Sequence, residues 1–171
     1  ISETSPNAST PVPSTIVIYR QPPKPGGGLL PSSWQAPDGS ETDRFVWENF
    51  GFENVQTISE VRWRGGYDPA KLGSGGPVRD FTIEIYQSIP AGSEPDLAHA
   101  PLVHYRVGGN AGETPSEVLG DVQTYDYRFA LPTPFECAAA TTYWVQIQAF
   151  QSGDPDWGLS VGSGTLGDGR H

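Results

Sequence analysis

The stretch Thr141-Thr142-Tyr143-Trp144-Val145-Gln146-Ile147-Gln148-Ala149-Phe150 decides the fold. Side chains of an extended strand alternate between its faces. Tyr143, Val145, Ile147 and Ala149 therefore share one side, and Trp144, Gln146, Gln148 and Phe150 the other. The first set is apolar and belongs against a core. The second mixes amides with two aromatics, the composition of a face that is only partly wet.

Working outward, the same alternation recurs. In Arg79–Ser88, Phe81, Ile83 and Ile85 point inward while Thr82, Glu84 and Tyr86 point outward. Val122–Leu131 sets Tyr125, Tyr127, Phe129 and Leu131 on one side. Ile58–Arg64 turns Val61 and Trp63 inward and Arg62 and Arg64 outward. Thr15–Arg20, Phe45–Phe52, Leu102–Val107, Phe135–Ala140 and Trp157–Val161 read as further short strands. The segments from Pro22 to Asp43 and from Asp68 to Pro77 read as loops, the second rich in glycine. No helix and no repeat of fixed period is found. About eight strands at this spacing predict an all-β fold: a two-sheet antiparallel β-sandwich of jelly-roll type. Phe81, Ile83 and Ile85 are expected opposite Tyr143, Val145 and Ile147.

Composition supports that class. A chain of 171 residues suits one domain. It spans residues 16–171 behind a Pro/Ser/Thr-rich tail, residues 1–15. With 21 Gly and 17 Pro a helical bundle is excluded, and 11% aromatic residues within alternating runs exclude a disordered chain. The formal charge of −10 argues against nucleic acid and anionic membranes, which need a basic field, and leaves cations and neutral sugars as partners. No apolar run approaches the roughly 20 residues of a membrane span, so no membrane insertion is expected. The sequence holds no Met, so Ile1 reads as a processed N-terminus and an extracellular or cell-surface location is expected. Cys137 is the single cysteine and reads as buried and inert. Asn7-Ala8-Ser9 is a glycosylation sequon, which makes Asn7 a candidate acceptor.

The order of motifs resembles a known module. Asn49-Phe50, Ile58-Ser59-Glu60-Val61-Arg62-Trp63-Arg64-Gly65-Gly66-Tyr67, Asp80-Phe81-Thr82-Ile83-Glu84-Ile85-Tyr86, Tyr125-Asp126-Tyr127, Pro134-Phe135, Thr142-Tyr143-Trp144-Val145, Asp156-Trp157-Gly158 and Gly167-Asp168-Gly169 follow one another. Together they are similar to the β-sandwich module of bacterial secreted and surface-anchored proteins of the PEP-CTERM-sorted kind. The resemblance covers residues 16–171. It implies an extracellular sandwich without catalysis and carries no catalytic residues. Modules of that kind run past Gly-Asp-Gly into a further strand, so an open sheet edge is expected here.

Candidate sites follow from residue chemistry. Gly162-Ser163-Gly164-Thr165-Leu166-Gly167 has dinucleotide spacing but no following helix, and reads as a turn. His99, His104 and His171 are too scattered for a metal cluster. Glu60 and Glu84 are outward carboxylates, but nothing pairs them across a cleft as glycoside hydrolysis needs. Asp154, Asp156 and Asp168 are weak calcium candidates, because oxygen-rich loops can hold that ion. No other cofactor is expected. Trp34, Tyr67, Tyr86, Trp144 and Trp157 form a candidate sugar-stacking set, whereas Trp47 and Trp63 read as core.

The leading expectation is a non-catalytic structural or adhesive module that associates with copies of itself. Val12, Ile16, Val17, Ile18 and Tyr19 would supply a strand to a neighbour's sheet edge and build a filament. The alternative is a carbohydrate-binding module for extracellular polysaccharide, with calcium as an optional aid.

Overall fold

The computed structural model describes Val17, residues 21–91 and residues 93–162. Ten strands run in chain order: β1 (Leu29–Pro31), β2 (Ser33–Gln35), β3 (Trp47–Phe52), β4 (Gln56–Tyr67), β5 (Asp80–Gln87), β6 (Val103–Gly108), β7 (Thr114–Leu119), β8 (Val122–Cys137), β9 (Thr141–Gln151) and β10 (Trp157–Ser160). They form two sheets. Sheet I has the order β1-β10-β4-β8-β7; sheet II has the order β2-β9-β5-β6, with β3 also pairing β9. Apart from the parallel β2–β9 contact, every pair is antiparallel. The nested pairs β1–β10, β3–β9, β4–β8 and β5–β6 follow the order of a jelly roll, and β7 adds a hairpin strand beside β8.

Alternation sets the core. Phe81, Ile83 and Ile85 of β5 are at most 1% exposed, and with Ile147 and Ala149 of β9 they form the inner face of sheet II. Trp63, Tyr127 and Trp157 of sheet I pack against Phe81, Ile83, Val107, Ile147 and Ala149. Trp63 and Tyr127 stack with centroids 5.5 Å apart, and Phe81 meets Trp157 edge-on at 5.1 Å. A smaller cluster of Phe50, Ile85, Tyr143 and Cys137 closes the other end. The expected β5–β9 pairing is present with a shifted register. Phe81 meets Ala149, Ile83 meets Ile147 and Ile85 meets Val145, while Tyr143 lies opposite Gln87.

Several boundaries differ from the sequence reading. Residues 22–43 are not all loop, because β1 and β2 add three residues each to opposite sheets. Val122–Leu131 and Phe135–Ala140 are not separate strands; β8 runs unbroken to Cys137. Ala140, at φ 52°, then makes the left-handed corner into β9. β7 carries no alternating signal in the sequence, since Pro115 and mostly exposed residues make an edge strand with an irregular register. Pro69–Lys71 forms one 3₁₀ turn capped by Asp68, so a single turn of helix interrupts the expected loop. Of the expected strand Thr15–Arg20 only Val17 is described. It is 60% exposed and carries no strand assignment.

Candidate functional site

The two outer faces differ in chemistry. On sheet I, Arg62 lies opposite Arg128, and Arg64 is paired to Asp126 at 2.7 Å and to Glu117. Hydrogen bonding from Arg64 holds the Asp126 carboxyl below its ordinary range. This is a charged, solvated surface.

On sheet II the outward residues of β9 form successive rows with their neighbours. Trp144 lies between Asn49 of β3 and Tyr86 of β5, and Gln146 between Trp47 and Glu84, with His104 of β6 beyond Glu84. Gln148 lies beside Thr82, with Arg106 beyond it. Phe150 lies between Trp34 of β2 and Asp80. Paired residues in neighbouring strands project to the same side, so these side chains share one surface. Phe45, just before β3, is 41% exposed and stands edge-on to Trp47 at 4.9 Å.

Hydrogen bonds fix several of these groups. The Tyr86 hydroxyl donates to Glu84 Oε2 at 2.7 Å, and His104 Nδ1 lies 2.8 Å from Glu84 Oε1. Burial, with the bond to Glu84, pushes the Tyr86 phenol well above its ordinary value, so it remains a neutral donor. Arg106 donates to Asp80 Oδ2 at 2.9 Å and lies 5.0 Å over the Phe150 ring. Trp144 Nε1 donates to Ser88 Oγ at 3.1 Å.

Other groups on the face remain unmatched. Trp47 Nε1, Gln148 Nε2 and Asp80 Oδ1 are buried atoms with no hydrogen-bond partner among the described residues. Trp63 Nε1 in the core and Ser160 Oγ on β10 are orphaned elsewhere. The arrangement offers half-buried rings beside hydrogen-bonding groups of both kinds.

The candidate stacking residues divide between the sheets. Trp34 and Tyr86 are half-buried on the outer face of sheet II. Trp144 shares that face but is only 1% exposed, so it supports the surface and presents no ring to stack upon, contrary to expectation. Trp157, also 1% exposed, is core and is removed from the platform. Tyr67 packs against the same core and donates to Glu113 Oε2 at 3.0 Å, so it too leaves the set. Tyr127 reaches the same oxygen at 2.8 Å, and burial raises both phenols far above their ordinary value. Trp47, expected in the core, instead stands half-buried on the outer face, while Trp63 is core as expected. The amides of Gln146 and Gln148 signalled this surface in the sequence.

Two of the three calcium candidates make hydrogen bonds within the protein. Asp156 is 4% exposed, and its carboxylate accepts from Gly73 N–H and from Gln151 Nε2, which makes it a structural group. Asp154 accepts from the Thr42 hydroxyl. Among the described residues no group of three or more His, Cys, Asp or Glu is arranged to hold a metal. Glu60 and Glu84 stand on the outer faces of opposite sheets and are not brought together. Asp168, Asn7, Val12, Ile16, Ile18 and Tyr19 lie outside the described residues. A cleft of about 400 Å³ beside β1 and β10 is lined in part by Arg44, Asp68 and Asp156, all already bonded within the protein.

Fold and surface together define an all-β jelly-roll sandwich with one charged outer face and one lined by aromatics and amides. The family model described as Domain of unknown function (DUF7901) matches residues 17–163, and the chain belongs to that family. No curated protein and no solved structure matches it.

Proposed function

We propose that the protein is an extracellular, non-catalytic carbohydrate-binding module whose ligand lies on the outer face of sheet II. One observation carries this reading: the half-buried rings of Trp34, Trp47 and Tyr86 and the 41% exposed Phe45 share that face with the accessible polar groups of Thr82, Glu84 and His104. Sugar hydroxyls both donate and accept, so they complement such a mixture, and the apolar faces of their rings suit aromatic side chains. The charge of −10 is compatible with a neutral ligand. Head-to-tail assembly through Val12–Tyr19 ranks behind it, because only Val17 of those residues is described and its exposure alone names no acceptor. The secreted setting rests on composition and on the resemblance to surface-anchored modules.

Affinity electrophoresis through gels containing neutral polysaccharides tests the proposal. Phe45→Ala and Trp47→Ala are expected to weaken retardation roughly tenfold, as the loss of about 1–2 kcal/mol of aromatic contact implies. Arg62→Ala, on the opposite face, is expected to leave it unchanged. Equal loss in all three variants, or no retardation of the wild type by any polysaccharide, overturns the proposal.

A further inference from the structure

Building on the sugar-binding reading, we infer that this face takes several consecutive units of an uncharged polysaccharide, held at two aromatic stations. Trp34, beside the Phe150 ring that Arg106 covers, forms one station and Tyr86 the other, with Phe45 and Trp47 in the rows between. The spacing comes from the β5–β9 register. Phe150 lies opposite Asp80, Gln146 opposite Glu84 and Trp144 opposite Tyr86. From the Phe150 row to the Tyr86 row is thus six residues along the strands, roughly 20 Å at about 3.3 Å per residue. One sugar ring cannot touch both; a chain can. Between them lie the half-buried Thr82 and the buried amides of Gln146 and Gln148.

The restriction to uncharged chains follows from the ion pairs. The one guanidinium on the strands of this face, Arg106, is matched to Asp80 at 2.9 Å, and His104 Nδ1 lies 2.8 Å from Glu84. Arg106 is also seated over Phe150. Among the described residues the strands of this face hold no unpaired guanidinium or ammonium, so an anionic polymer would meet Asp80 and Glu84 on a chain of net charge −10.

Titration calorimetry with neutral sugars of increasing length, from monosaccharide to oligomer, and with a polyuronate separates the cases. Affinity is expected to rise at least roughly tenfold once the oligomer reaches both stations, a gain of about 1.4 kcal/mol. The polyuronate is expected not to bind. Phe45→Ala, with a folded spectrum by circular dichroism, is expected to flatten the length dependence. If a monosaccharide binds as tightly as the oligomer, or the polyuronate binds as well as the neutral chain, this inference fails while the sugar-binding reading stands. If no sugar of any kind binds, both fail.

Discussion

Replacing Gln151 by Leu tests the buried clamp that ties the end of β9 to the loops around it. Gln151 is fully buried. Its Oε1 accepts from Asp156 N–H at 3.0 Å and Trp157 N–H at 3.1 Å. Its Nε2 donates to the Gly76 carbonyl at 2.7 Å and to the Asp156 carboxylate. Leu fills nearly the same volume, so the substitution removes the polar bonds while creating little cavity. Two backbone N–H groups, one carbonyl and one carboxylate oxygen then lose a partner away from water. Each such group costs about 1–3 kcal/mol, and because the losses share one site they sum to less than four separate ones. We expect about 4 kcal/mol of destabilisation, a large share of the roughly 5–15 kcal/mol typical of a domain. At about 2 kcal/mol per molar urea this moves the unfolding midpoint down by about 2 M. Tryptophan fluorescence during urea titration reports it, since Trp157 adjoins the clamp. A shift below about 0.5 M with unchanged slope would refute the reasoning.

Other expectations address separate parts of the fold. Gly65→Ala directs a methyl group into Trp157 and to 2.6 Å from the Gly158 carbonyl oxygen, both fixed by the core; overpacking should cost about 1–3 kcal/mol, and an unchanged melting temperature would contradict it. The Cys137 thiol is fully buried and pushed up to about 11 by that burial, so a thiol reagent at mildly alkaline pH should label it only in urea; rapid native labelling would argue otherwise. The Asp126 carboxyl is depressed by Arg64, so this pair stabilises the fold above the unfolded carboxyl's ordinary pKa and loses that contribution as pH falls through the depressed value. With 52% of the Asp126 side chain exposed, Arg64→Ala should cost less than about 1 kcal/mol at neutral pH and flatten the acid limb of the stability curve; an unaltered limb would count against the pair.

The fold was legible where alternation was long. Phe81, Ile83 and Ile85, or Tyr143, Ile147 and Ala149, occupy the core because period-two apolar residues have one buried side available. Leu29–Pro31 and Ser33–Gln35 are too short to show a period, and they are strands only because β10 and β9 supply partners. The site was legible in half. The amides between Trp144 and Phe150 set this side of β9 apart from the core side, yet they are themselves buried, and burial of an individual ring depends on neighbours that a local pattern does not contain. Trp144 and Trp47 lie on the same outer side of adjacent strands, but Trp144, on the central strand, is enclosed while Trp47, on the edge strand, is not. Trp157 follows a short acidic turn and looked exposed, but its indole N–H donates to Tyr127 at 3.0 Å inside the core. The engagement of Asp156 was not legible locally, because Gln151 and Gly73 supply its donors from other segments of the chain.

The most direct measurement is a nuclear magnetic resonance titration of nitrogen-labelled protein with short neutral oligomers of glucose, mannose and xylose. The proposed site predicts that at least one sugar shifts the indole signal of Trp47 and the side-chain amide signals of Gln146 and Gln148. Backbone signals of β3, β5, β6 and β9 should move with them, while Arg62, Arg64 and Arg128 on sheet I stay fixed. Shifts confined to sheet I, or none with any of these sugars, would contradict the assignment of the site to sheet II.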